Sequence, residues 1–155
     1  MKARPRHVEG EIAKRLSLFY SQFGYKSVER IPVLGRTGPD IEVNEMRLAV
    51  DVKSRIQVPK SMIVPPKLAR VFDVENQALI GVSLESLALL DQNPAAETVY
   101  PGSKVVLRWL LHMQAWADAN ACTAALVLHR PKLAYSQSTF IIFQKDWRLL
   151  CQQMQ

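Results

Sequence analysis

Apolar residues recur at helical spacing in the first part of the chain. Between Val8 and Phe23 they fall at positions 8, 12, 16, 19, 20 and 23, and residues three or four apart share one face of an α-helix. Gly24 is typical of the residue that follows a helix end. We therefore expect a basic, flexible arm over residues 1–7 and an amphipathic helix over residues 8–23.

The next segments have the alternating pattern of β-strands. The stretch "SVERIPVL" favours a strand but contains Pro32, which is typical of a sheet edge. The runs "DIEVN" at 40–44 and "LAVDVK" at 48–53 alternate apolar and polar residues, as strands with one buried face do. Together they predict a β-hairpin that turns at Glu45 and Met46.

The second half of the chain begins with a less regular span over residues 57–102. Five prolines interrupt it, and we interpret it as an insertion containing a short helix over residues 83–90. A long helix is expected over residues 103–120, with Ser103 as its N-cap. The runs "TAALVLH" and "STFIIF" predict buried strands, and "KDWRLLCQQM" a final helix. This order predicts a single mixed α/β domain over residues 1–155.

Composition limits the classes of protein that fit. The chain has 155 residues, of which 48% are hydrophobic and 22% charged, which is typical of a globular domain. Its net charge of +6 is compatible with a polyanionic partner. Cys122 and Cys151 form neither a disulfide framework nor a metal-ligand spacing, which favours a reducing, cytoplasmic location. No secretory signal or membrane-spanning run is recognisable, so no membrane partner is expected.

The predicted hairpin brings acidic side chains together. With a turn at Glu45 and Met46, Asp40 lies opposite Asp51, and opposed Cβ atoms are about 4.5–5.5 Å apart. Two carboxylates at that distance repel each other, and Mg²⁺, which prefers oxygen ligands, would relieve the repulsion. Lys53 follows Asp51 on the same face. A metal ion beside a lysine suits phosphodiester hydrolysis, because the metal activates water and the lysine stabilises charge at phosphorus.

The segments "GPDIEV" and "LAVDVKSR" resemble the PD-(D/E)xK nuclease superfamily, which includes restriction endonucleases and archaeal-type Holliday junction resolvases. Pro39 and Asp40 match the PD position, and Asp51, Val52 and Lys53 match the (D/E)xK position. The resemblance covers the chain from the first helix to this motif, the later helix and strands only by pattern, and the insertion not at all. It implies a restriction-endonuclease-like fold, in which a central mixed β-sheet flanked by helices has an αβββαβ core, here with an insertion after the third strand.

The same resemblance implies roles for the motif residues. Asp40 and Asp51 would bind Mg²⁺ directly, with the backbone carbonyl of Val52 as a further ligand and Mn²⁺ able to replace Mg²⁺. Lys53 would orient or deprotonate the attacking water and stabilise the transition state.

Three other carboxylates are candidates for the same site. Members of the family commonly add a glutamate from the first helix, and Glu9 and Glu11 compete for this role. Glu9 lies three residues before Ile12 and continues the core-facing stripe, so it is favoured; it would act through water or a second metal. Glu42 shares the face of Asp40 and is either an extra ligand or, as we favour, solvated.

Basic residues near the motif are candidates for contacts with a phosphate backbone. They are Arg36, Arg55, Lys60, Lys67 and Arg70. Each fits an ordinary solvated surface equally well.

The long helix over residues 103–120 is apolar nearly all round, which indicates burial on more than one side. Its residues Trp109 and Trp116 are expected in the core or a dimer interface rather than stacking on bases. Leu107 and Leu111 lie off its main apolar face. This surface is the feature that predicts a homodimer.

The sequence thus predicts a Mg²⁺-dependent endodeoxyribonuclease. The small size argues against a separate base-reading domain, and therefore favours structure-specific cleavage of DNA, as in Holliday junction resolvases. Two alternatives stay open. One is a sequence-specific or repair endonuclease of the same fold, and the other is a non-catalytic nucleic-acid-binding protein.

Overall fold

The computed structural model describes residues 5–21, 28–30, 38–43, 47–55, 57–66, 68–89 and 98–153. Its helices are α1 (Pro5–Ser21), α2 (Lys104–Ala119) and α3 (Gln144–Gln153). Its strands are β1 (Val28–Arg30), β2 (Ile41–Val43), β3 (Leu48–Ser54), β4 (Ala69–Val74), β5 (Gln77–Ser83), β6 (Val99–Pro101), β7 (Thr123–His129) and β8 (Thr139–Phe143). All eight belong to one sheet in the order β1-β2-β3-β7-β8-β5-β4-β6.

The sheet is mixed and is covered on both faces. β1, β2 and β3 are successive antiparallel neighbours, whereas β3 runs parallel to β7. Because successive side chains of a strand point to opposite faces, Val50 and Val52 of β3 join a core with α1 and α3, and Ala49 joins a second core with α2. The predicted mixed α/β fold is therefore confirmed, with the helices in two layers around the sheet.

The first helix begins earlier than its apolar pattern predicts. It starts at Pro5, and proline is well tolerated in a first helical turn because that turn leaves its N–H groups unpaired. Residues 5–7 of the predicted arm are thus helical, while residues 1–4 and Gly24 lie outside the described residues. Val8 and Ile12 are buried as their spacing predicts.

The span over residues 57–102 forms a large part of the central sheet, which differs from the expected insertion packed against it. β5 pairs with β8, β4 with β5, and β6 with β4. The turn between β4 and β5 is made by Glu75 and Asn76, which both have positive φ, as a tight two-residue hairpin turn requires. The helix expected over residues 83–90 is a 3₁₀ helix, Leu84–Leu89.

The second helix matches its predicted bounds to within one residue, but its apolar surface is used differently. Ser103 occupies the N-cap position, although its side chain makes no capping hydrogen bond within the described part of the chain. Leu107 is buried, and Leu111 is 42% exposed. Since the sheet covers most of the apolar surface of α2, this helix gives no support to the expected homodimer.

The final strands and helix are where the pattern predicts them. β7 and β8 are buried almost throughout, and α3 follows directly. No helix in the described part of the chain has the length and apolar character needed to cross a membrane.

Candidate active site

Asp40 immediately precedes β2, and its backbone amide donates a hydrogen bond of 2.9 Å to the carbonyl of Val50 on β3. The register pairs Ile41 with Val50, which is the register predicted from the turn and brings Asp40 beside Asp51. The Oδ2 atom of Asp40 accepts a hydrogen bond of 2.8 Å from the amide of Val52. Because the amide and carbonyl of one strand residue point to the same side, the Val52 carbonyl faces this edge as well.

The carboxyl groups of Asp40 and Asp51 are in direct contact. Burial raises the pKa of Asp40 from 3.8 to about 8, helped by its hydrogen bond with Asp51 and by the negative charges of Asp51 and Glu9, while the hydrogen bond from the Val52 amide opposes the rise. A neutral Asp40 can donate a proton to its neighbour, whereas two ionised groups would only repel. The pair therefore holds a proton around neutral pH, at a place suited to a positive charge.

Lys53 supplies a positive charge at the same place. Its Nζ atom lies 3.0 Å from Oδ2 of Asp51, and the two side chains are only 19% and 16% exposed. The two residues are one strand repeat apart on the face that α2 covers, as the alternation predicts. Asp51 thus contacts both the carboxyl group of Asp40 and the ammonium group of Lys53.

The two glutamates of α1 have different surroundings. The negative charge of Glu9 contributes to the raised pKa of Asp40, so its carboxylate lies near the aspartate pair. Glu11 forms an ion pair of 3.5 Å with Lys14, whose side chain is 74% exposed. Of the two, Glu9 is therefore the one whose charge raises the pKa of Asp40.

An aromatic ring from α2 also reaches this edge of the sheet. Trp109 lies under two cations: Lys53 Nζ is 5.7 Å and Arg55 Cζ is 5.6 Å from the ring centroid. The sequence pattern predicted this tryptophan in the core or a dimer interface. The contact joins segments more than fifty residues apart, so the local pattern carried no signal for it.

The loop before Asp40 is held against α2. Gly38 has a φ of 149°, a conformation that strongly favours glycine. A Cβ atom at this position would lie 3.3 Å from Nε1 of Trp116, and Pro39 is buried. The tight turn before Asp40 therefore favours glycine, both because of its φ and because the Trp116 ring lies close to it.

The candidate nucleic-acid contacts are only partly gathered at the site. Arg55 shares the Trp109 ring with Lys53, and Lys60 is exposed. Arg70 is half-buried, with its guanidinium 4.5 Å from the ring centroid of Tyr100. Arg36 and Lys67 lie outside the described residues.

Glu42 lies in a neighbouring groove rather than at the aspartate pair. This groove has a volume of about 270 Å³ and is lined in part by Arg47, Trp116 and Asn120. Arg47 donates hydrogen bonds to the carbonyls of Asn120 and Ala121, which ties the hairpin to the end of α2. The role of Arg47 is therefore to hold the hairpin in position.

The oxygen ligands at the β2–β3 edge suit a hard divalent cation. Asp40 and Asp51 offer carboxylate oxygens and Val52 a carbonyl oxygen, which are the ligand types of Mg²⁺, and the negative charges of Asp51 and Glu9 beside Asp40 would favour a cation there. The described residues contain no group of three or more His, Cys, Asp or Glu side chains arranged to hold a metal ion. A metal here would therefore rest on the two aspartates, the carbonyl and water.

No protein-family model, curated protein or solved structure matches the chain.

Proposed function

We propose that the chain is a Mg²⁺-dependent DNA endonuclease with a restriction-endonuclease-like fold. The observation that carries the proposal is the contact between Asp40 and Asp51, with Lys53 ion-paired to Asp51. Apart from β4–β6, which lie between β3 and α2 in the chain, the order α1, β1–β3, α2, β7 is the αβββαβ order that the resemblance implied, and this supports the fold. The parallel pairing of β3 with β7 makes the sheet mixed, as the proposed fold would require.

The site residues have distinct roles in this proposal. Asp40, Asp51 and the Val52 carbonyl hold the metal ion, and Glu9 contributes through water. Bound Mg²⁺ supplies Lewis-acid activation of water and of the scissile phosphate. The Lys53 ammonium orients the attacking water and stabilises the negative charge that develops on the phosphate oxygens.

The aspartate pair also argues against a non-catalytic binding protein of this fold. Two neighbouring carboxyls, one with a pKa of about 8, make folding less favourable at neutral pH than a pair without this conflict. A protein that only bound DNA would gain stability by replacing one of them with a neutral side chain.

The preferred substrate in this proposal is branched DNA, such as a four-way junction. All the described strands belong to one sheet, so the described part of the chain contains no separate base-reading domain. A junction resolvase cuts two strands and therefore acts as a dimer, so we propose a homodimer in solution. A sequence-specific or repair endonuclease of the same fold is the alternative.

The activity is tested with labelled four-way junction, linear duplex and single-stranded DNA, each with Mg²⁺ or with EDTA. We compare the wild type with Lys53→Ala and with Lys104→Ala, whose exposed lysine is paired with Glu75 at 3.6 Å. We expect Mg²⁺-dependent cleavage that falls at least about 100-fold in Lys53→Ala and is unchanged in Lys104→Ala. Cleavage of no substrate would favour the binding protein, and full activity of Lys53→Ala would overturn the site.

Substrate choice and assembly have separate readouts. A junction resolvase cuts the four-way junction faster than linear duplex, and light scattering should give twice the chain mass of 17.6 kDa. Equal cleavage of both substrates would contradict structure-specific cutting. A monomeric mass would contradict the homodimer.

A further inference from the structure

One indole ring contacts both Lys53, on β3, and Arg55, which follows the end of this strand at Ser54. Arg55 comes two residues after Lys53, and both side chains reach the ring of Trp109. Nζ of Lys53 and Cζ of Arg55 lie 5.7 and 5.6 Å from the centroid of Trp109. These distances are within the range at which a cation is attracted to the face of an aromatic ring.

Trp109 is held in place by packing against the core. It is partly buried and packs against the core between the sheet and α2, near Leu110. Arg47 fixes the far end of the helix through the carbonyls of Asn120 and Ala121. The ring therefore belongs to a helix that packs on the sheet and whose C-terminal end is hydrogen-bonded to the residue before β3.

Lys53 needs such a support for the function proposed above. A lysine side chain has many rotamers and a compact charge that can rotate freely. The ion pair with Asp51 restrains its end from one side only, and Asp51 is also proposed as a metal ligand. An aromatic face restrains the ammonium from a second side without competing for the carboxylate oxygens.

We propose that Trp109 is a positioning residue that holds Lys53 at the scissile phosphate and Arg55 beside it. The inference rests on the proposed nuclease function and adds a residue to its site. Lys53 acts on the reacting atoms, so its displacement lowers kcat. Arg55 is exposed and contacts the neighbouring DNA backbone, so its displacement raises KM.

The kinetic test compares Trp109→Leu, which keeps apolar volume but has no ring, with Trp109→Phe, which keeps a smaller ring. Val105→Ala is the control for packing, because Val105 is also partly buried against the α2 core. We expect Trp109→Leu to lower kcat about 10- to 100-fold and to raise KM, and Trp109→Phe to recover most of kcat. Arg55→Ala should raise KM alone. If Trp109→Leu behaves like Val105→Ala, the inference is overturned.

A spectroscopic signature tests the placement without any activity. In protein with ¹³C-labelled lysine, the ε-methylene signal of Lys53, assigned by its loss in Lys53→Arg, should be shifted upfield by the indole ring. The shift should persist in Trp109→Phe and Val105→Ala and disappear in Trp109→Leu. An unshifted wild-type signal would overturn the inference. A shifted signal in a protein that cleaves no DNA would support the placement of Lys53 and overturn only the nuclease function.

Discussion

The carboxyl group of Asp40 is hydrogen-bonded to that of Asp51 across the β2–β3 pair. Burial, this hydrogen bond and the charges of Asp51 and Glu9 together raise the pKa of Asp40 to about 8. The pair thus keeps a proton at a pH where two isolated aspartates would both be ionised. A proton and a divalent cation compete for the same oxygens, so the protonation of this pair should depend both on pH and on the metal concentration.

Stability without metal should depend on pH through Asp40. Its pKa is about 8 in the folded protein against an ordinary value of 3.8, so between these values the folded state binds more protons than the unfolded state. The stabilisation is full below about pH 4 and is lost as the pH rises to about 8. In urea titrations with EDTA, the free energy of unfolding should fall by on the order of 2 kcal/mol between about pH 5 and pH 8, a value discounted for partial exposure.

The substitution Asp40→Asn should remove most of this pH dependence. The amide cannot ionise, so the variant should be more stable than the wild type at about pH 8. Asp73→Asn changes an exposed aspartate on β4 and should leave the wild-type slope. A slope that is unchanged by Asp40→Asn would show that Asp40 does not carry the shifted proton.

The two glutamates of α1 offer a matched comparison. Glu9→Gln removes a charge that raises the pKa of Asp40, so it should lower that pKa and reduce cleavage by about 10- to 100-fold. Glu11→Gln alters a residue paired with Lys14 and should affect neither. The pKa is measured from the ¹³C carboxyl shift of Asp40 during a pH titration. Equal effects of the two substitutions would contradict the assignment of Glu9 to the site.

The turn before Asp40 should not tolerate a side chain. Gly38→Ala places a Cβ at a φ of 149° and 3.3 Å from Nε1 of Trp116, so it should destabilise the fold by about 1–3 kcal/mol and reduce cleavage by displacing Asp40. Gly10→Ala is the control, because its Cβ would meet no described atom within 4 Å other than its chain neighbours and the backbone of its own helix. In the interior of α1 it should stabilise by about 0.5–1 kcal/mol. A neutral Gly38→Ala in urea unfolding would refute the role of this turn.

The parts of the site predicted from sequence are those that depend on local alternation. A period of two in "DIEVN" and "LAVDVK", with a turn between them, determines which residues oppose each other, and the observed pairing of Ile41 with Val50 is the predicted one. The shared face of Asp51 and Lys53 follows from the same period. The long apolar runs of β7 and β8 likewise identified them as strands, since such runs indicate strands that are buried on both faces in the centre of a sheet.

The parts that were missed depend on contacts between distant segments. From the sequence alone, β4 and β5 fall in a predicted insertion, because five prolines interrupt residues 57–102. The turn at Glu75 and Asn76 offers a local signal for a hairpin, since asparagine tolerates positive φ. The contact of Trp109 with Lys53 depends on how α2 crosses the sheet. Periodicity identified the apolar face of this helix but not the strand residues that it meets.

The central claim, that the Asp40–Asp51 pair is the centre of a metal-dependent nuclease, is tested most directly by the initial rate of DNA cleavage in Mg²⁺ by Asp51→Asn and Asp73→Asn. Asp51→Asn removes a carboxylate from the pair and also the partner of Lys53, so circular dichroism and a melting curve are recorded to show that the variant is folded at the assay temperature. We predict that its cleavage rate falls at least about 100-fold while Asp73→Asn keeps the wild-type rate. A folded Asp51→Asn protein that cleaves DNA at the wild-type rate would contradict the account.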